Sequence, residues 1–169
     1  RSTPRGPDTA TRAPLSTDAA SAASMARALE LVINFVGTAN GYGGPKGPGV
    51  TDEIVGTWFA RGGPRREKFV LATKLFGAMT EWPNDGGLSA RHIRAACDES
   101  LRRLQTDHID LYQMHHLDRA APCDEVWAAM EILGPQGKGV YVGRGHLPGS
   151  RPAPANEAST PRTRPRPPR

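Results

Sequence analysis

The chain has 169 residues, enough for one ordinary domain. Its formal charge of +5 sits mainly at the ends. Residues 151–169 carry five Arg against one Glu and residues 1–24 three Arg against two Asp, so residues 25–149 balance at fourteen of each sign. A neutral middle without basic and aromatic interleaving excludes a specific nucleic-acid site and leaves only weak, salt-dependent attraction for the basic tail.

Residues 1–17 are rich in Pro, Arg and Thr without apolar periodicity, which predicts a disordered tail. Asp18–Leu31 reads as an Ala-rich helix with Met25, Ala28, Leu29 and Val32 on one side. Val32–Ala39 reads as an apolar strand. The glycines of 41–49 match neither G-x-G-x-x-G nor G-K-[ST], so this segment reads as a flexible rim loop without a phosphate cradle of its own. Thr51 is placed to cap a helix running to Arg61, with Asp52 and Glu53 in its first turn. Phe69–Lys74 is a second strand.

Ser89 caps a helix to about Leu104, turning Ile93, Cys97, Leu101 and Leu104 inward. His108–His115 is a third strand, placing Leu111, Gln113 and His115 on one face and Tyr112 and Met114 on the other. Pro122 opens a helix through Val126, Met130 and Leu133, and Gly139–Gly143 is a fourth strand. Residues 148–169, with seven of the sixteen prolines, read as a second disordered tail. The globular part is therefore expected within residues 18–147.

Strands separated by helices of this length imply an α/β fold with a parallel sheet and right-handed crossovers. Periodicity does not choose between a doubly wound open sheet and a (β/α)₈ barrel. Cys97 and Cys123 form neither a disulfide framework nor a metal-ligand spacing, and Cys97 falls at core positions of its helix. No apolar run is long enough to span a bilayer, and Arg1-Ser-Thr-Pro-Arg5 leads into no signal-peptide core, so the cytoplasm is the expected compartment.

Reactive side chains stand where the strands end: Tyr42 just past the first, Lys74 closing the second and His115 closing the third. In a parallel β/α fold all strands finish on one rim, so the three can converge. Together they suit proton donation: the ammonium stabilises a phenolate as it forms, and the imidazole hydrogen-bonds the phenol or a substrate carbonyl.

The same segments resemble the aldo-keto reductase family. Asn34-Phe-Val-Gly-Thr-Ala-Asn-Gly-Tyr-Gly43 is similar to its N-F-x-D-T-A-x-x-Y-G segment, and Leu71-Ala-Thr-Lys74 to its lysine strand. Ser100-Leu-Arg-Arg-Leu104, followed by Asp110-Leu-Tyr-Gln-Met-His115, is similar to its S-L-x-R-L…D-L-Y-x-x-H. Gly137–Gly143 resembles the glycine-lysine stretch before a Ser-Asn pair that contacts nicotinamide. The resemblance covers about residues 18–143. It implies a TIM barrel and NADP-dependent reduction of small aldehydes or ketones, with Tyr42 as general acid, Lys74 as its assisting ammonium and His115 orienting the carbonyl.

The sequence also departs from that pattern. Gly37 occupies the family's catalytic-aspartate position, Gly145 and His146 occupy the Ser-Asn pair, and Pro135 interrupts a helix end. The likeness stops near Gly143, before the region the family uses for the adenosine phosphate. The resemblance thus implies a partial barrel of about four strands out of eight, a truncated copy inactive alone. A frame shift near residue 144 would account for the Pro/Arg-rich tail.

Four strands contribute roughly six interior side chains. Leaving them uncovered forfeits roughly 9–18 kcal/mol at ~1.5–3 each, against a net stability of ~5–15 kcal/mol. An isolated half-barrel is therefore expected to be molten, to self-associate through the exposed surface or to depend on a partner. The competing reading is a non-enzymatic pseudoenzyme or basic-tailed adaptor that pairs with another protein.

Overall fold

The computed structural model describes residues 18–145. Both expected tails, together with His146, lie outside the described residues. In chain order the elements are α1 (Asp18–Glu30), β1 (Phe35–Gly37), a 3₁₀ turn (Gly44–Lys46), α2 (Val50–Phe59), the single turn α3 (Arg65–Lys68), β2 (Val70–Leu75), α4 (Ala90–Leu104), β3 (Ile109–Met114), α5 (Cys123–Glu131) and β4 (Gly139–Arg144).

All four strands pair in parallel in the order β1-β2-β3-β4. This order settles the choice that periodicity left open. Right-handed crossovers between sequential neighbours place every helix on the same face, as in a barrel wall, whereas a doubly wound sheet reverses its strand order and covers both faces. α2 packs on α4, and α4 on α5, along that face. The fold is α/β, with four consecutive strands of TIM-barrel arrangement.

Alternation within the strands sorts the side chains. Leu71, Thr73 and Leu75 of β2 are fully buried under the helices, with Tyr112 and Met114 of β3. On the opposite, concave face Leu111, Gln113 and His115 are half-buried, as their alternation predicts. Phe35, Val70 and Tyr141 are 55%, 39% and 70% exposed. The helix core is closed by Ile93, Cys97 and Leu104 of α4 and Val126, Met130 and Leu133 at α5. Gly56 lets α2 cross α4 at contact distance, since a Cβ there would collide with the Arg103 carbonyl.

Several boundaries differ from the sequence reading. Val32 neither faces the core nor starts a strand: it is 85% exposed, and β1 begins at Phe35. The chain spends residues 31–33 ending α1, with Val32 N–H donating to the Leu29 carbonyl and Ile33 N–H to that of Ala28. That is a Schellman closure, and Val32 occupies its left-handed position at φ 59°. The cap of α2 is Gly49, at φ 88°, rather than Thr51, and the helix ends at Phe59 rather than Arg61. Ser89 caps α4 as expected, its Oγ accepting from His92 N–H at 3.2 Å. α5 stops at Glu131, and Leu133 reaches the core from the following turn, ahead of Pro135.

Candidate active site

The loop after β1 continues to run alongside β2 before it turns. Thr38 N–H donates to the Ala72 carbonyl and Asn40 N–H to that of Lys74, both at 2.8 Å. A tight turn, Tyr42 N–H to the Ala39 carbonyl at 3.0 Å, then lifts the phenol onto the C-terminal rim. Thr51 N–H at the start of α2 donates to the Tyr42 carbonyl at 3.2 Å and fixes the far side. The glycine segment closes on itself so tightly that a Cβ at Gly43 would overlap the Gly47 carbonyl.

The three strand-end residues do come together. Tyr42 Oη lies 3.5 Å from His115 Nε2, with the rings edge to face at 5.5 Å between centroids. Lys74 Nζ sits 5.1 Å from the centre of the Tyr42 ring, a cation–π contact. His115 stacks on His116 at 4.7 Å, and Phe76 meets His116 edge-on. A phenol, an imidazole nitrogen and an ammonium thus face one small volume, while Tyr42 keeps 40% of its surface open to an incoming molecule.

Lys74 lacks a carboxylate at Gly37. Its ammonium donates to the Thr38 carbonyl at 2.8 Å. A Cβ at Gly37 would meet only the Phe35 ring, at 3.7 Å, so the strand has room for a side chain that the sequence does not supply. Burial lowers the proton affinity of Lys74 below that of an ordinary lysine, and the charge of Asp52 works in the opposite direction.

Asp52, in the first turn of α2 as expected, is fully buried. Thr73 Oγ1 donates to its Oδ1 at 3.2 Å, and Arg103 Nε approaches its Oδ2 at 3.7 Å. Burial raises its carboxyl above the usual range, with Arg103 and the hydroxyls of Thr38, Ser100 and Thr73 opposing the rise. Ser100 also accepts from Arg103 at 3.3 Å. The Ser and Arg of the S-L-x-R-L-like segment therefore hold the back of the site. Sequence reasoning missed Asn40 as well: it is fully buried, and neither side-chain amide atom has a hydrogen-bond partner among the described residues. An acid in a helix's first turn and a polar residue inside the motif were the signals available.

On the β4 side Gly145 N–H donates to the Met114 carbonyl at 2.6 Å. Among the described residues no His, Cys, Asp and Glu group is arranged to hold a metal ion, and no helix is long and apolar enough to cross a membrane.

A family model described as "Aldo/keto reductase family" matches residues 9–147. The oxidoreductase YrpG of Bacillus subtilis (strain 168), described as uncharacterized, is 51% identical over 130 residues, covering 74% of this chain and 40% of that protein. Protein tas of Escherichia coli (strain K12) is 40% identical over 100 residues, covering 54% and 28% respectively. L-glyceraldehyde 3-phosphate reductase of the same strain is 30% identical over 122 residues, covering 72% and 35%. The chain spans 40% or less of the length of each of these three relatives.

Proposed function

Because the chain belongs to the aldo/keto reductase family of oxidoreductases, we propose that residues 18–145 carry the proton-donating and carbonyl-orienting part of an NADPH-dependent aldehyde or ketone reductase. The observation that carries this reading is the meeting of Tyr42, Lys74 and His115 on one rim. His115 Nε2 and Tyr42 Oη hydrogen-bond the substrate's carbonyl oxygen, and Tyr42 gives that oxygen its proton as negative charge develops there. The Lys74 ammonium over the ring favours the phenolate that remains. Small carbonyl compounds are the substrate class.

The described residues do not fit a nicotinamide nucleotide by themselves. Gly37 and Gly145 offer no side chain where the rim would need polar groups, and the Gly145 N–H is already engaged by Met114. The proposal therefore assigns this chain no hydride-transfer step and expects no reductase turnover from it alone. The exposed Phe35, Val70 and Tyr141 favour a second reading, in which the protein works by pairing this face with another polypeptide.

Two measurements test the proposal. Titrating NADPH with the full chain should give no saturable change in cofactor fluorescence; saturable binding would show that the described rim suffices. Fluorine NMR of a fluorinated benzaldehyde should show line broadening with the wild-type chain, reduced at least several-fold by Tyr42→Phe and His115→Ala. Equal broadening by all three would remove the carbonyl site.

A further inference from the structure

We propose that Asp52 is a positioning residue for Lys74, a buried carboxylate behind the strand that takes over the electrostatic part of the role left vacant at Gly37. The inference deepens the reading of Lys74 as the ammonium assisting Tyr42. Gly37 leaves Lys74 without a carboxylate on β1, and its ammonium is instead tied to the Thr38 carbonyl. Thr73, the residue before Lys74, points the opposite way and donates to Asp52 at 3.2 Å. The carboxylate thus grips β2 next to the lysine, from the first turn of α2. That helix begins directly after the Tyr42 loop, which it holds through Thr51 N–H and the Tyr42 carbonyl.

Among the described residues, charged and titratable groups reach Lys74 from three directions. Tyr42 approaches from the loop after β1, with His115 of β3 beyond it, and Asp52 acts from α2 with Arg103 of α4 behind. The Arg103 guanidinium lies 3.7 Å from Asp52 and favours the ionised carboxylate. Of the two influences on the ammonium, burial works against the charge and Asp52 for it. The competing role for this acid–arginine pair is a packing anchor between α2 and α4. The two roles differ in one measurable quantity: only the electrostatic role changes the proton affinity of Lys74.

The experiment is competitive acetylation of the full chain with acetic anhydride across pH, reading Lys74 by mass spectrometry. It needs neither cofactor nor carbonyl substrate, so failure of reductase or benzaldehyde-binding tests leaves its result intact. Asp52→Asn, isosteric and uncharged, should lower the Lys74 midpoint by about half a pH unit or more, roughly a three-fold faster reaction below the midpoint. Asp52→Glu, where it folds, should return the midpoint toward wild type. An unchanged midpoint in folded Asp52→Asn overturns the proposal. If that variant loses its circular-dichroism signature, Thr73→Val decides, because it leaves the carboxylate with Arg103 but releases it from β2. A smaller downward shift is then expected, and an unchanged midpoint again overturns the proposal.

Discussion

The two faces of the sheet are built from neighbouring residues yet live under different physics. Leu71, fully buried, and Val70, 39% exposed, are adjacent on β2; one lies beneath the helices and the other on the concave side. Helix crossovers that always turn the same way complete one face, while the other keeps Phe35 and Tyr141 in water. Tyr42, Lys74 and His115 stand at the rim of the uncovered face, where Lys74 continues the alternation of Val70. The helix face therefore supplies stability, and the concave face carries the candidate site and unspent apolar surface.

Truncation on either side of one peptide bond separates the two faces by the largest margin. Leu71→Ala should cost about 2–4 kcal/mol in urea unfolding, through lost transfer energy and the cavity left behind. Val70→Ala should cost about 0.5–1 kcal/mol, mostly strand propensity. Similar losses at both positions would mean that the concave face is packed in solution.

The concave face is tested next by charge. Phe35→Lys combined with Tyr141→Lys should shift the chain toward monomer in sedimentation velocity while changing stability by less than about 1 kcal/mol. A wild-type chain that stays monomeric at high concentration would remove self-association through this face.

The smallest effect is expected where neither face is involved. Val32 is β-branched, exposed and left-handed at the end of α1. Val32→Asn should stabilise the chain by about 1 kcal/mol, because asparagine tolerates this conformation at lower cost. Unfolding midpoints in urea measure it, and a destabilised Asn variant would show that Val32 makes contacts worth keeping.

Much of the fold was legible because its signals are local. Apolar runs of strand length, the Ser89 cap and the alternation of Leu111 against Tyr112 each need only a few residues to read. Tyr42, Lys74 and His115 were legible for a related reason: strand ends of a parallel fold share a rim, so sequence position converts into spatial meeting. Val32 misled because its apolar character suits a strand, whereas its backbone closes a helix. Asp52 was legible as a first-turn acid, but its burial was not, because such an acid ordinarily complements the helix dipole at the surface. Its burial depends on Thr73 and Arg103, brought in by two other elements. The choice between barrel wall and doubly wound sheet rested likewise on which strands are neighbours, a property that no window of sequence contains.

The sequential order of the sheet also has a consequence for how the chain acquires its structure. Phe35 pairs with Val70, Ala72 with Leu111 and Ile109 with Gly139, so each strand's partner is the next one to be synthesised. Growth of this kind is accretion: every arriving strand uses up one row of free peptide groups and presents a fresh row of its own. At β4 that row is flanked by Val140 and Tyr141, 57% and 70% exposed. Among the described residues no further strand pairs with β4, so the assembly is a ratchet whose leading tooth can take the next parallel strand that reaches it, whichever chain supplies it.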